Sequence, residues 1–270
     1  YRISPTSASR ATWTRGLNLG AASSAALVTE LGNLNSWWRM NAQRLLLDRN
    51  DKATLPALEK MAQQSSSPLG RLHALWTLEG MQSLPPALIE LALKDKEPGL
   101  RENAIKLAEL HLKASPDLAK ALLALQGDSS AKVKFQLLCT LGSINSKEAT
   151  QARNKLMFDN IKDEWMQLAA LSGAVKTINP LLNTILDSFE IEIPAHTLLV
   201  KKISAMIGRS SPPNLIHQLI EKGINTKERE WNAPLLYGLA QGISSRKNYL
   251  PVVSEQLLLV NAFFNSNTPE

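Results

Sequence analysis

The sequence is poor in cysteine and in aromatic residues. Cys139 is the only cysteine among 270 residues, so the chain has no internal disulfide and no metal site built from several thiolates. Aromatic residues make up 5% of the chain, and leucine and alanine dominate its apolar content, which favours packed helices over sheets. Cys139 lies in an apolar run and is interpreted as a small core residue. A disulfide-rich secreted domain is therefore excluded, whereas the cellular compartment stays open.

Long apolar runs and strong charge clusters are also missing. No segment approaches the ~20 apolar residues that a membrane-spanning helix needs. The start, Tyr1-Arg2-Ile3, has neither an initiator methionine nor a signal peptide, so we expect a mature protein or a piece of a larger one. The net charge of +6 is mildly basic, but the lysines and arginines are scattered. A solvated helical surface explains them better than a nucleic-acid-binding patch, and no nucleic-acid partner is predicted.

Motifs for catalysis and for metal binding are lacking as well. The histidines are isolated, and no His-Glu-x-x-His occurs. His111 is expected to be a helix-end histidine that bonds to a carbonyl group. There is no Gly-x-Ser-x-Gly nucleophile motif and no glycine-rich phosphate loop. The sequence therefore predicts that this chain holds no metal or cofactor and is not itself an enzyme.

What the sequence does contain is a short pattern that returns five times at intervals of 30 to 33 residues. A polar turn residue is followed six positions later by a basic or aromatic residue, and three positions later by a small or apolar one. The copies are Asn33–Arg39–Ala42, Ser65–Arg71–Ala74, Asp95–Arg101–Ala104, Asp128–Lys134–Leu137 and Asp159–Trp165–Leu168. A fixed period of this size indicates stacked supersecondary units.

Each copy is interpreted as two amphipathic helices. In the third copy, one face of the first helix carries Leu100, Ala104, Leu107 and Ala108. The second helix carries its own stripe, made of Leu118, Ala121, Leu122 and Leu125. Beyond residue 190 the period blurs, but helices are still expected near 195–207, 212–222, 230–242 and 249–264. No stretch alternates as a strand would, so the predicted fold class is all-α.

The predicted architecture is a right-handed α-solenoid of about seven HEAT-like helix pairs over residues 21–265. Residues 1–20 are interpreted as a linker or the end of a preceding domain, and residues 266–270 as a tail. The turn residue of each unit is expected to cap the incoming turn. The basic residues are expected to stack from unit to unit in a ladder of hydrogen bonds.

Several strings in these units are unusual. They are Ser36-Trp-Trp-Arg39, Pro68-Leu-Gly-Arg-Leu-His-Ala-Leu-Trp-Thr-Leu-Glu-Gly80, Lys134-Phe-Gln-Leu137 and Glu230-Trp-Asn-Ala-Pro-Leu235. Together they resemble the helical-repeat region of large exported bacterial proteins of the membrane-bound dehydrogenase, haem-binding (PVC) type. The resemblance covers residues 30–245 and implies a periplasmic or otherwise exported location.

In that family, the resemblance implies a β-propeller ahead of the repeats and often a cytochrome c-like domain after them, as neighbouring partners. This sequence departs from the family's complete pattern in one important respect. A c-type haem needs Cys-x-x-Cys-His, and a chain with one cysteine does not carry that motif. Any redox chemistry of the family would therefore lie outside these residues.

The candidate binding residues are Trp37, Trp38, Arg39, Arg71, His73, Trp76 and Glu79. One interpretation makes them a polar and aromatic patch that lines a concave groove. The alternative, structural interpretation places Trp76 in the core, Arg71 in the inter-repeat ladder and His73 at its edge.

These observations favour a non-catalytic scaffold or binding module of a larger exported dehydrogenase-like protein, which mediates domain or protein contacts. The alternatives are a stand-alone HEAT-like adaptor, including a cytoplasmic one, and a repeat-type enzyme similar to the phycobilin lyases. The lyase hypothesis assigns activity to Arg71, His73 and Glu79. Binding to the DNA backbone is a further alternative that would need a positive groove.

Overall fold

The structure is a computed structural model that describes residues 18–173, 178–226 and 229–246. In these ranges every regular element is a helix, which confirms the all-α prediction. The predicted helix at 249–264 and the predicted tail at 266–270 lie outside the described residues, as does nearly all of the predicted linker at 1–20.

Fourteen α-helices occur in the described residues. They are α1 (Ser24–Glu30), α2 (Ser36–Arg49), α3 (Leu55–Gln64), α4 (Pro68–Gly80), α5 (Pro86–Ala92), α6 (Pro98–His111), α7 (Asp117–Leu123), α8 (Ala131–Leu141), α9 (Lys147–Asp159), α10 (Glu164–Ser172), α11 (Ile178–Asp187), α12 (Pro194–Ser210), α13 (Pro213–Asn225) and α14 (Asn232–Ser244). Short 3₁₀ turns cover Leu19–Ala21, Lys52–Thr54 and Ala124–Gly127. The helices predicted near 195–207, 212–222 and 230–242 correspond to α12, α13 and α14.

Local chemistry explains where many of these helices begin. The side chains of Ser23, Asn35, Ser67, Ser146 and Asp163 each accept a hydrogen bond from a backbone amide of the first turn that follows. Six helices (α3, α4, α5, α6, α12 and α13) have a proline in their first two positions. Proline is well tolerated there because the first amides of a helix have no partner within the helix.

The chain divides into two compact units, unit 1 up to Val133 and unit 2 from Lys134 onward. In unit 1 the helices form two rows: α2, α4 and α6 pack successively, and so do α1, α3, α5 and α7. Contacts of α1 with α2, α3 with α4, α5 with α6 and α6 with α7 join the rows. The first apolar stripe predicted for the third copy is buried in full, as Leu100, Ala104, Leu107 and Ala108 show. Of the second stripe, Leu118 and Leu122 are buried, whereas Ala121 and Leu125 are partly exposed.

In unit 2 the most extensive helix contact is between α12 and α14. Their backbones touch at glycines: a Cβ on Gly238 would overlap the carbonyl of Lys201, and one on Gly242 would overlap the carbonyl of Ala205. On the facing helix, a Cβ on Gly208 would lie 2.6 Å from the carbonyl oxygen of Leu239. These three positions must be glycine if the two helices are to pack at this distance.

None of the helices in the described ranges is long and apolar enough to cross a membrane.

Candidate binding site

The polar residue that opens each repeated pattern folds the turn before the next helix. Its side chain accepts a hydrogen bond from the amide two residues later. The distances are 2.9 Å at Asn33, 3.2 Å at Ser65, 2.9 Å at Asp95 and 2.8 Å at Asp128. The predicted capping role is confirmed at these four positions.

The arginine six residues later closes the same turn from the other side. Nη1 of Arg39 donates to the carbonyl of Asn33 at 2.7 Å, and Nη1 of Arg71 donates to that of Ser65 at 2.6 Å. Nη1 of Arg101 donates to the carbonyl of Asp95 at 2.8 Å. The six-residue spacing in the sequence therefore separates each arginine from the residue whose backbone carbonyl accepts its hydrogen bond.

Two of these arginines also reach the next copy of the pattern. Arg71 donates from Nε and Nη2 to the two carboxylate oxygens of Asp95, both at 2.8 Å. Arg101 binds Asp128 in the same bidentate way, at 2.6 and 2.9 Å. The predicted ladder of hydrogen bonds is confirmed for these two rungs, which are charge-assisted and largely buried.

The rungs change the acidity of the groups that form them. Burial alone would raise the pKa of Asp95, but the hydrogen bonds from Arg71 and from the Glu97 amide outweigh it and lower the pKa below its usual value. The hydrogen bond to Asp128 raises the pKa of Arg101. Both rungs are therefore ion pairs at neutral pH.

The first rung is different because Ser65 stands where the two following copies have Asp95 and Asp128. Arg39 has only 8% of its surface exposed, and its Nε is buried without a hydrogen-bond partner among the described residues. The Nη1 group still bonds to the carbonyls of Asn33 and Leu34. Sequence analysis placed Arg39 among the candidate binding residues but did not anticipate this difference, although Ser65 is visible in the alignment of the copies.

In unit 2 the predicted fifth copy is out of register by two residues. Trp165 and Leu168, assigned to the ladder and to the core, are 69% and 57% exposed. Gln167 occupies the buried position instead and donates to the carbonyl of Ile161, six residues earlier, at 2.7 Å. Ala170 is the buried small residue that follows. Asp159 and Trp165 match the repeated pattern in residue type but do not make its contacts. Gln167 makes the contact to the turn carbonyl, and a single glutamine gives no distinctive signal in the sequence.

The remaining candidate residues mostly bond to neighbouring helices of unit 1. His73 Nδ1 lies 2.6 Å from Oε1 of Gln43, and the Trp76 indole donates to Oδ1 of Asn103 at 3.1 Å. Glu79 lies 2.6 Å from Nε2 of His111. With the Arg71–Asp95 ion pair, these contacts cross from α2 to α4 and from α4 to α6. The side-chain groups of the predicted patch thus connect adjacent helices.

Two details of the prediction need correction. His111 was expected to bond to a carbonyl group, but it pairs with the Glu79 carboxylate of the neighbouring helix. Trp76 was assigned to the core in the structural interpretation, but it is only half-buried and uses its indole NH as a donor. Gln43 and Asn103, which complete the contacts, were missed because isolated amides give no pattern in the sequence.

His73 is held in its neutral form by its surroundings. Burial lowers the pKa of the imidazole, and the positive charge of Arg39 lowers it further. His73 therefore lies close enough to Arg39 to sense its charge, which places Gln43, His73 and Arg39 in one polar cluster between α2 and α4.

Exposed apolar side chains occur just before α2, in its first turns and in the first turn of α4. Trp37 is half-exposed and packs edge-on against Trp38, with ring centroids 5.8 Å apart. Leu34, Met40 and Leu69 are exposed as well. We call Leu34, Trp37, Met40 and Leu69 the apolar edge. Exposed apolar residues that form a patch are typical of contact surfaces.

The described residues form no metal-binding group, and the groove in unit 1 is lined by residues other than the candidates. Among the described residues, no three His, Cys, Asp or Glu side chains are grouped so that they could hold a metal ion. A shallow groove of about 680 Å³ lies in unit 1 beside Lys94, Lys96 and Lys120, but none of the seven candidate residues lines it. No known protein-family model matches this sequence, and no curated protein is significantly similar to it.

Proposed function

We propose that this chain is a non-catalytic helical-repeat scaffold that binds protein through the apolar edge of unit 1. The observation that carries the proposal is the combination of that edge with the side-chain bonds that Arg71, Trp76 and Glu79 make. Glu79 and Trp76 are bonded to α6, and Arg71 is bonded to Asp95 in the turn before α6. These bonds join α4, whose first turn carries Leu69 of the apolar edge, to the element that follows.

The successive packing of α2, α4 and α6, with the second row behind them, supports a HEAT-like solenoid arrangement within unit 1. In such arrays each helix pair covers its neighbour, and function resides in the exposed surface. We propose that the helix pairs of unit 2 belong to the same repeat type, because Gln167 closes its turn in the way that the arginines of unit 1 do.

The bonds of the candidate cluster favour a scaffold over the lyase alternative. In a catalytic role, at least one of these groups would have to come within hydrogen-bond reach of the proton that it transfers. Arg71 is engaged by Asp95, and His73 by Gln43, while Glu79 is paired with His111. Each group is used in joining helices.

The sequence resemblance further supports the proposal that the native polypeptide is an exported dehydrogenase-like protein with neighbouring β-propeller and cytochrome c-like domains. In that setting the apolar edge would contact one of those domains. A native mass far above that of this chain, measured with an antibody to this region in cell fractions, is the expected result. A native polypeptide of about the same mass in the cytoplasm would contradict it and favour the stand-alone adaptor.

The binding surface itself is tested with a double variant, Trp37→Ala with Met40→Ala. Cross-linking mass spectrometry of the native polypeptide should then show the loss of cross-links between unit 1 and its partner or neighbouring domain. The matched control is Leu91→Ala with Leu110→Ala, which removes two exposed leucines elsewhere in unit 1 and should leave the cross-links unchanged. Equal cross-linking in both variants would refute a binding role for the apolar edge.

A further inference from the structure

The shallow groove of unit 1 has a volume of about 680 Å³, which is the size of many ligand sites. It is formed by the turn between α5 and α6, the first turn of α6, the end of α7 and the 3₁₀ turn that follows α7. Its apolar lining residues are Leu93, Ala121, Ala124 and Leu125. Leu93 is buried, whereas the other three are at least partly exposed. The groove therefore has an apolar floor that is open to water.

The charged side chains around this floor are mostly cationic. They are Lys94, Lys96, Lys120, Arg101 and Asp95. The ladder already matches two of these charges. Both carboxylate oxygens of Asp95 are bound by Arg71, and Arg101 is bound to Asp128. The positive charge that the groove offers to a ligand therefore comes from its three lysines.

These lysines are available to a new partner. Lys94 and Lys96 are exposed, and neither forms an ion pair with another described residue. Lys120 lies 3.2 Å from Asp117, but both side chains are more than four-fifths exposed. An ion pair on such a surface contributes little, so another carboxylate can replace Asp117. Glu97, in the same turn as Lys96, does not line the groove.

We infer that this groove binds an acidic segment of a partner protein, with an apolar side chain on the floor and carboxylates against the lysines. Charge complementarity carries the assignment, because three ammonium groups without matched carboxylates border one apolar floor. The groove and the apolar edge share no residue. Either surface can therefore fail its test without the other.

The chemistry of the groove favours a protein segment over two other anions. Single-stranded nucleic acid is bound by stacking its bases on aromatic side chains, and no residue that lines the groove is aromatic. A small organic acid needs a pocket that buries most of its surface, whereas this groove is shallow and its lysines are exposed. A bound protein segment is covered from the outside by the rest of its own chain.

The direct test is a titration of the full chain, labelled with ¹⁵N, with a blocked pentapeptide that alternates glutamate and leucine. We expect saturable binding with a Kd below about 1 mM, and amide shifts concentrated at residues 93–96 and 120–125. Counterparts with glutamine in place of glutamate, or with serine in place of leucine, should each bind at least about tenfold more weakly. A titration that does not saturate, or that shifts only amides elsewhere, would overturn the inference.

Charge reversal locates the site. Lys94→Glu with Lys96→Glu should weaken peptide binding at least about tenfold. The matched control is Lys60→Glu with Lys113→Glu, which reverses two exposed lysines of unit 1 that do not line the groove. This control changes the net charge equally and should leave the Kd within about twofold, because exposed charges that do not contact the peptide are screened by salt.

Two further results decide between a specific groove and general attraction. Lys120→Gln leaves the turn between α5 and α6 unchanged and should weaken binding about two- to fivefold. Equal weakening in the two double variants would show that only net charge matters and would overturn the inference.

The other ligand classes are tested on the same protein. Hexanoate supplies a carboxylate with an apolar chain, and a thymidine pentanucleotide supplies phosphates without acidic side chains. Both should bind at least about tenfold more weakly than the peptide. Hexanoate binding as tight as that of the peptide would assign the groove to a small acid, and tighter binding of the oligonucleotide would assign it to nucleic acid. Either result would refute a site for an acidic protein segment.

Discussion

Buried ion pairs join successive copies of the pattern in unit 1, whereas α12 and α14 of unit 2 meet at bare backbone. Between α4, α6 and the turn that follows α7, Arg71 and Arg101 bridge successive copies of a pattern through aspartates. Between α12 and α14, glycines let the two backbones touch, with Gly238 and Gly242 against carbonyl groups of the facing helix.

The difference matters for how each contact tolerates change. A bidentate ion pair depends on two side chains, so it can be broken at one residue and restored by a substitute with the same chemistry. A backbone contact depends on the absence of a side chain, and no larger residue restores it.

Replacing Gly242 by alanine should have the largest effect. The added methyl group would overlap the carbonyl of Ala205, so α12 and α14 must separate, and we expect a loss of about 3 kcal/mol or more in the free energy of unfolding of unit 2. Denaturant titration followed by circular dichroism measures it. Gly99→Ala is the control, since a Cβ there meets no atom within 4 Å, and it should be neutral or slightly stabilising.

Breaking a rung of the ladder should have the next largest effect. Asp128→Ala leaves Nε and Nη2 of Arg101 without their carboxylate, and we expect unit 1 to lose about 2–4 kcal/mol of stability. Asp159→Ala removes an aspartate that pairs with Lys155 on the exposed surface, and it should change the Tm very little. Equal losses in the two variants would contradict the assignment of Asp128 to a buried rung.

The corrected register of the fifth copy is tested by a pair of variants in α10. Gln167→Ala removes the hydrogen bond to the carbonyl of Ile161 and the contact with Lys202, so a loss of about 1–2 kcal/mol is expected. Trp165→Ala removes an exposed side chain and should change stability by less than about 0.5 kcal/mol. The opposite order of effects in thermal denaturation would restore the register that the sequence alone suggested.

The smallest effect concerns acid. The pKa of Asp95 is lower in the folded chain than in the unfolded one, so its contribution to stability is complete above the unfolded pKa. That contribution is lost as the pH falls through the folded value. Below about pH 4, the wild type should therefore lose stability more steeply than Asp95→Asn, which has no carboxyl group to protonate. Parallel pH profiles of Tm for the two proteins would show that the rung does not titrate as an ion pair.

The sequence was most informative where a single residue type performs a task that few others can. The turn residues and the arginines of unit 1 recur with a fixed spacing because each copy closes its turn with the same bond. Small or apolar residues three positions later recur because that position lies in the core: Ala42, Ala74, Ala104 and Leu137 are fully buried. Both regularities are therefore visible without coordinates.

The sequence was less informative where several residue types perform the same task. Gln167 fulfils the role of arginine in unit 2 with a neutral amide, so a search for basic or aromatic residues assigned that role to Trp165. The partners of His73, Trp76 and Glu79 lie 27 to 32 residues away on other helices. Their pairing depends on which helix faces come together, and no local spacing encodes that.

The sequence by itself determined that the chain is helical, where most of the described helices begin, and which residues of unit 1 close the turns. These properties depend on contacts between residues at most about six positions apart in the sequence. The order of the residues therefore determines them directly. Only the tertiary structure decided which glycines bring α12 and α14 together and that Arg71 and Arg101 pair with the aspartates of the following copies. Those outcomes depend on the distance between helices far apart in the chain, which packing sets and local sequence does not.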